Sequence, residues 1–150
     1  MKKFIPILLL AMCSSAYSNC YITSYKDNDL TEIINENDGW DLKDFDTLCQ
    51  KLKRYNLGVH LSQIEMISKY QTSVATAAHV YPLDLDQKYD QMLLASTGIH
   101  SITTHPERTS ATVKELKYSD ANNALNRLNN DKEAWLEMID QVAVIRKLVK

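Results

Sequence analysis

The sequence predicts an α+β fold. It reads as a small antiparallel sheet of two or three strands flanked by helices, in the order roughly α-β-β-β-α, with one disulfide. Three observations predict it. Segments before Tyr55 and after Ser119 repeat apolar residues at helical spacing. Between them, Leu57–Leu83 is the one region rich in β-branched and small residues with two-residue alternation. Two cysteines, Cys20 and Cys49, remain once the N-terminal segment is set aside.

That segment reads as an address. Lys2 and Lys3 form a positive start, Phe4–Met12 is a short apolar run, and Ala16-Tyr17-Ser18 has the small-x-small form of a signal peptidase site. Residues 1–18 are therefore expected to be a cleaved secretory signal, with the mature chain starting at Asn19. The run is too short to span a bilayer, which needs about 20 apolar residues. A lipoprotein signal ending at Cys13 is the weaker reading, because Met12 before it is not small. The location that follows is periplasmic or secreted, by a bacterial type of export signal and with no stable membrane anchor.

Residues 19–150 then form one α+β domain of ordinary size, able to bury a core without help. Losing Lys2 and Lys3 lowers the basic count from 17 to 15 against 19 acidic residues, a net of −4. The acidity is concentrated in Asn19–Gln50, where eight carboxylates from Asp27 to Asp46 face only Lys26 and Lys43. A mildly acidic exported chain is a poor match to nucleic acid, which asks for a basic stripe. The α-β-β-β-α order is shared by double-stranded-RNA-binding domains, but element order alone does not carry function.

In chain order, Asp29–Asn35 is a short helical turn, with Leu30, Ile33 and Ile34 on one face and Asp29 and Glu32 at capping-box spacing. Asn37-Asp38-Gly39 is a turn. A clearer helix starts near Asp41 with the stripe Leu42, Phe45, Leu48, Cys49 and Leu52; Lys53 and Arg54 suit its end, and Asn56 with Gly58 can stop it. Cys49 lies on the apolar side. In an oxidising compartment it pairs with Cys20, which ties the N-terminal segment to this helix or to the adjacent sheet edge.

The sheet follows. Val59 and Leu61 point one way, His60 and Ser62 the other. Ser68-Lys69 is read as a tight connection, which sets His60 opposite a residue near Ala77. Thr72–Tyr81 is the second strand, with Val74, Thr76, Ala78 and Val80 on one face and Ser73, Ala75, Ala77, His79 and Tyr81 on the other. The small residues suggest a face closely covered by a helix, and Pro82 ends the strand. Asp84–Lys88 is turn-like, a third antiparallel strand falls within Leu93–Thr104, and Pro106–Thr112 is a loop. Val113–Tyr118 is left unassigned. Ser119 or Asp120 caps a helix carrying Ala121, Ala124, Leu125 and Leu128. Asp131 caps another with Trp135, Met138, Ile139, Val142 and Ile145 on one stripe.

Chemical signatures are sparse. There is no Gly-x-Ser-x-Gly elbow, His-Glu-x-x-His pair or phosphate loop, and a disulfide would occupy the cysteines. The acidic run fails the calcium-loop pattern, because counting back from Gly39 places Ile34 at the first ligand position. The apolar stripe Trp135–Val149 reads as core-facing more than membrane-facing, since its basic residues gather at one end. His60, His79 and His100 are the remaining candidates for zinc or copper, though no close His-x-His spacing supports them. The expectation is a small exported, non-enzymatic protein with no cofactor that binds an unknown protein partner, of which an inhibitor or immunity-type protein is one example. The alternative is a metal- or small-ligand-binding protein using the strand histidines.

Overall fold

The computed structural model describes residues 20–24, 28–90 and 92–149. The signal read over residues 1–18 and the chain start expected at Asn19 lie outside these. Among the described residues four strands form one sheet in sequence order: β1 (Ile22–Ser24), β2 (Leu57–Ile67), β3 (Thr72–Pro82) and β4 (Ile99–His105). β2, β3 and β4 are antiparallel, while β1 lies parallel to β2, with Ile22 opposite Val59 and Ser24 opposite Leu61. The helices are α1 (Asn28–Glu36), α2 (Phe45–Tyr55), α3 (Leu83–Tyr89), α4 (Ser110–Asn130) and α5 (Lys132–Leu148). This is the α+β arrangement that the alternation and the flanking helical periodicity predict, with one added strand at the N-terminus.

One core joins the layers. Leu30 of α1, Leu48 and Leu52 of α2, Ala121, Leu125 and Leu128 of α4, and Trp135 and Met138 of α5 pack with Val59, Leu61, Ala78, Val80 and Ile99 of the sheet. Those strand residues share one face, so the helices gather there. The small residues of α4 let it approach closely, and it packs on β3 and β4 alike.

Local chemistry places the element ends. Asn56 stops α2 in the left-handed conformation at φ 52, its N–H donating to the Leu52 and Lys53 carbonyls. Asp131 both ends and starts a helix: its N–H donates to Arg127 O, and its side chain accepts from the Ala134 N–H. Cys20 and Cys49 are bonded, with Cα atoms 5.5 Å apart, and Cys49 is buried on the core side of α2. The staple holds β1 at the edge of β2, as the sequence leads one to expect. Arg146 of α5 ties the periphery together, donating to Asp84 at 2.6 Å and to the Tyr55 and Asn56 carbonyls at 3.1 Å.

Several local expectations change. Asp84–Lys88 is helical, because Leu83 and Leu85 are buried and Asp84 and Asp86 occupy a first turn, where the helix dipole favours them. Pro106–Thr112 is only partly loop: Thr109 caps α4 by accepting from the Thr112 N–H, so α4 takes in Ser110–Thr112 and the unassigned Val113–Tyr118. Neither Ser119 nor Asp120 is a cap. Asp120 is fully buried in the middle of α4 and accepts from Ser101 and Thr103, both at 2.7 Å. The helix near Asp41 begins at Phe45. The hairpin connection spans Ser68–Gln71, with Ser68 Oγ accepting from the Tyr70 and Gln71 N–H groups. It is two residues longer than a tight Ser68-Lys69 turn, so His60 pairs with His79 and not with Ala77.

Candidate interaction face of the sheet

The face of the sheet away from the helices is built in cross-strand rows. Gly58 lies opposite Tyr81 and His60 opposite His79. Ser62, Ala77 and His100 form the next row, then Ile64, Ala75 and Ile102, then Met66, Ser73 and Thr104. One end is closed by rings and the other is open and aliphatic.

At the closed end two glycines make room for rings. A Cβ on Gly58 would lie 2.6 Å from Tyr81 Cε1 and Oη, and one on Gly98 would lie 2.5 Å from His79 Cε1. His79 and His100 meet edge to face with ring centroids 6.0 Å apart. His79 Nδ1 lies 3.0 Å from Ala95 O. A carbonyl only accepts, so that nitrogen carries the proton. His60 is buried, and burial first, then the charge of His79, lowers its pKa below the ordinary histidine value. The register thus brings the three candidate histidines into adjoining rows. Among the described residues, however, no group of three His, Cys, Asp or Glu side chains is placed to hold a metal ion. His105, on the same strand as His100, sits at the far end of β4, where its Nδ1 accepts from the Glu107 N–H.

At the open end, Ile64 is 66% exposed, Ile102 67% and Met66 49%. Exposed Tyr70 stands at the tip of the adjoining hairpin. Single exposed apolar residues are ordinary on a protein surface; here Ile64 and Ile102 flank Ala75 in one cross-strand row, with Met66 beside them. The row arises from an inversion along β2. From Leu57 to Leu61 the apolar residues face the helices; at the next two positions on that face, Gln63 and Glu65, polar ones do. Gln63 donates to Thr76 Oγ1 at 2.9 Å and to Lys117 O at 2.8 Å, and Glu65 pairs with Lys117 at 3.6 Å. These partners hold Gln63 and Glu65 on the helix side, which leaves Ile64 and Met66 in water.

The helix side of the molecule holds cavities of a different kind. One of about 380 Å³ lies between α1, the end of β2 and the start of α4. Its lining includes Ile33, and Lys117 bridges Asp29 and Glu65 across it at 3.6 Å each. Another of about 390 Å³ runs along α5 beside Leu94 and Val144. Neither includes a histidine. Among the described residues no helix is long and apolar enough to cross a membrane.

The aliphatic row escapes a residue-by-residue reading of motifs, since Ile, Met and Ala carry no signature. Its signal is the inversion itself: the two-residue alternation that puts Val59 and Leu61 on the helix side puts Gln63 and Glu65 on that side as well. Comparison of the chain with family models, curated proteins and solved structures returns no match.

Proposed function

We propose that this chain is a small exported, non-enzymatic binding protein that contacts its protein partner through the open sheet face, centred on Ile64 and Met66. The observation that carries the reading is the inverted strand. A hairpin that bonds polar residues under its helices and leaves a row of aliphatic ones in water exposes apolar area that association would cover. Further support comes from the export signal read in residues 1–18, the Cys20–Cys49 staple suited to an oxidising compartment, and the lack of a catalytic motif in the sequence. The acidic N-terminal third would steer a basic partner more than it would add affinity.

The test is site-specific photo-crosslinking in the native compartment. A photoreactive residue at position 64 is expected to capture one protein in stoichiometric yield, and one at exposed Leu136 on α5 is not. An Ile64→Asp, Met66→Asp variant should lose that partner while keeping the wild-type urea midpoint. Equal capture from both positions, or a partner retained by the double variant, would overturn the proposal. Stoichiometric zinc or copper lost on replacing His60 and His79 by Ala would promote the metal-binding alternative in its place.

A further inference from the structure

We infer that β4 is the docking edge for a second copy of this chain, which adds its own β4 antiparallel about a two-fold axis at Ile102. Three features carry the inference; the first and third lie on the strand edge and on α4, apart from the sheet face just proposed for a partner.

The first is the direction of the backbone groups. Val80 O accepts from the Ala95 N–H, so Val80 and the alternate residues Ala78, Thr76 and Val74 point their polar groups toward β4. Their partners Ile99, Ser101 and Thr103 point back. His100, Ile102 and Thr104 therefore turn their N–H and C=O groups outward. Arg127 donates to His100 O, which agrees with this and covers one end of the edge. Ile102 and Thr104 have no outward partner among the described residues. The strand His-Ser-Ile-Thr-Thr carries none of the usual edge guards: no proline, no lysine and no bulge.

The second is self-complementary register. With the axis at Ile102, the outward groups of Ile102 pair with those of its copy, and His100 pairs with Thr104 of the copy. The aliphatic row Ile64, Ala75, Ile102 then continues across the seam into its symmetry mate, as a two-fold, isologous contact requires.

The third is charge complementarity on the helix above. Asp120 bonds Ser101 and Thr103, so the middle of α4 lies level with Ile102. Glu115, Ser119, Asn123 and Arg127 form an exposed stripe at four-residue spacing, and Arg127 shows that it borders the free edge. Glu115 makes no ion pair among the described residues. The stripe centres near residue 121, so the same two-fold sets Glu115 level with Arg127 of the copy and Ser119 level with Asn123. Because α4 packs on β3 and β4 alike, its axis sits about half a strand spacing inside the edge. The two α4 axes would then lie roughly 10 Å apart, within reach of helix–helix packing over small polar residues. On docking, the Thr104 N–H of the copy replaces Arg127 at His100 O, and Arg127 turns to Glu115 of the copy. One strand and one helix stripe per copy make a seam at the small end of stable interfaces, so the dissociation constant should be about 10⁻⁵ M.

Sedimentation equilibrium of the purified protein up to about 500 µM at low salt tests this. Wild type is expected as a monomer–dimer mixture. Glu115→Arg and Arg127→Glu should each weaken association at least about tenfold, because each sets like charges against each other twice per dimer. An equimolar mixture of the two variants restores both opposite-charge pairs and should dimerise again, as should the double variant alone. A wild type that stays monomeric would overturn the inference. So would dimers that persist in both single variants, or a mixture that remains monomeric. If β4 serves a strand of another protein and not a second copy, the purified chain stays monomeric, and that result overturns the inference.

Discussion

Replacing Gly58 by Ala puts a single methyl group where the structure has no space for one. Gly58 sits on β2 with an ordinary extended backbone, so alanine meets no conformational strain there. By itself the change would restrict the unfolded chain and stabilise by about 0.4–1 kcal/mol. The added Cβ, however, would lie 2.6 Å from Cε1 and Oη of Tyr81 and closer still to its Cζ. Ordinary contact needs nearly 1 Å more. Tyr81 is only 1% exposed, so its ring has no free volume to move into. Overpacking of this kind costs about 1–3 kcal/mol, and it wins over the entropic gain. The net expectation is a loss of about 1–2 kcal/mol. With a urea slope of about 1.5 kcal/mol/M, that lowers the urea midpoint by about 1 M at unchanged slope. The assay is equilibrium urea unfolding of wild type, Gly58→Ala, Tyr81→Leu and the double variant. Removing the ring relieves the clash, so the two changes together should cost at least about 1 kcal/mol less than the sum of the singles. A Gly58→Ala protein as stable as wild type, or strictly additive singles, would refute the reasoning that the ring fills the place of the missing side chain.

Two further outcomes are expected. Replacing Cys20 and Cys49 by Ser opens a loop with a sequence separation of 29. It should cost about 3–4 kcal/mol in the chain-entropy account while leaving the circular dichroism spectrum of the folded protein unchanged. Denatured, unreduced wild type should show no reactive thiol from these two residues. The second outcome concerns pH. Burial holds the His60 pKa below its ordinary value, so the unfolded chain takes up the proton first as pH falls. The stability contributed by neutral His60 is complete above about pH 6.5 and drains away as pH drops below it toward the lower folded value. His60→Gln should therefore flatten the fall in urea midpoint between pH 7.5 and 5.5, and an unchanged slope with pH would refute that assignment.

Much of the fold follows from local chemistry that one sequence contains. The stripes of α2 and α5, the double role of Asp131, the αL stop at Asn56 and the alternation of β3 each depend on residues within a turn or two of one another. The Cys20–Cys49 bond is legible for a different reason, since two cysteines in an oxidising compartment leave one simple pairing. Polar composition misled where tertiary contacts outweighed it: Leu83 and Leu85 are buried and turn Asp84–Lys88 into a helix, and Thr112 is buried in the first turn of α4 at the end of what reads as a loop.

Register is what the sequence alone did not determine. A four-residue turn in place of a two-residue one shifts every partner on β2 by two. That shift keeps each side chain on its face but sets His60 against His79 and aligns Ile64, Ala75 and Ile102 in one row. The alternation determined which residues share a face; the turn, through the two N–H groups that Ser68 accepts, determined which of them meet. Likewise Asp120 reads as a cap because aspartate favours helix starts, and only the approach of β4 beneath α4 provides Ser101 and Thr103 as its partners. Side-chain period is a local property of the chain. Pairing across strands and between layers is set by long-range closure, and here it decided both the candidate face and the edge beside it.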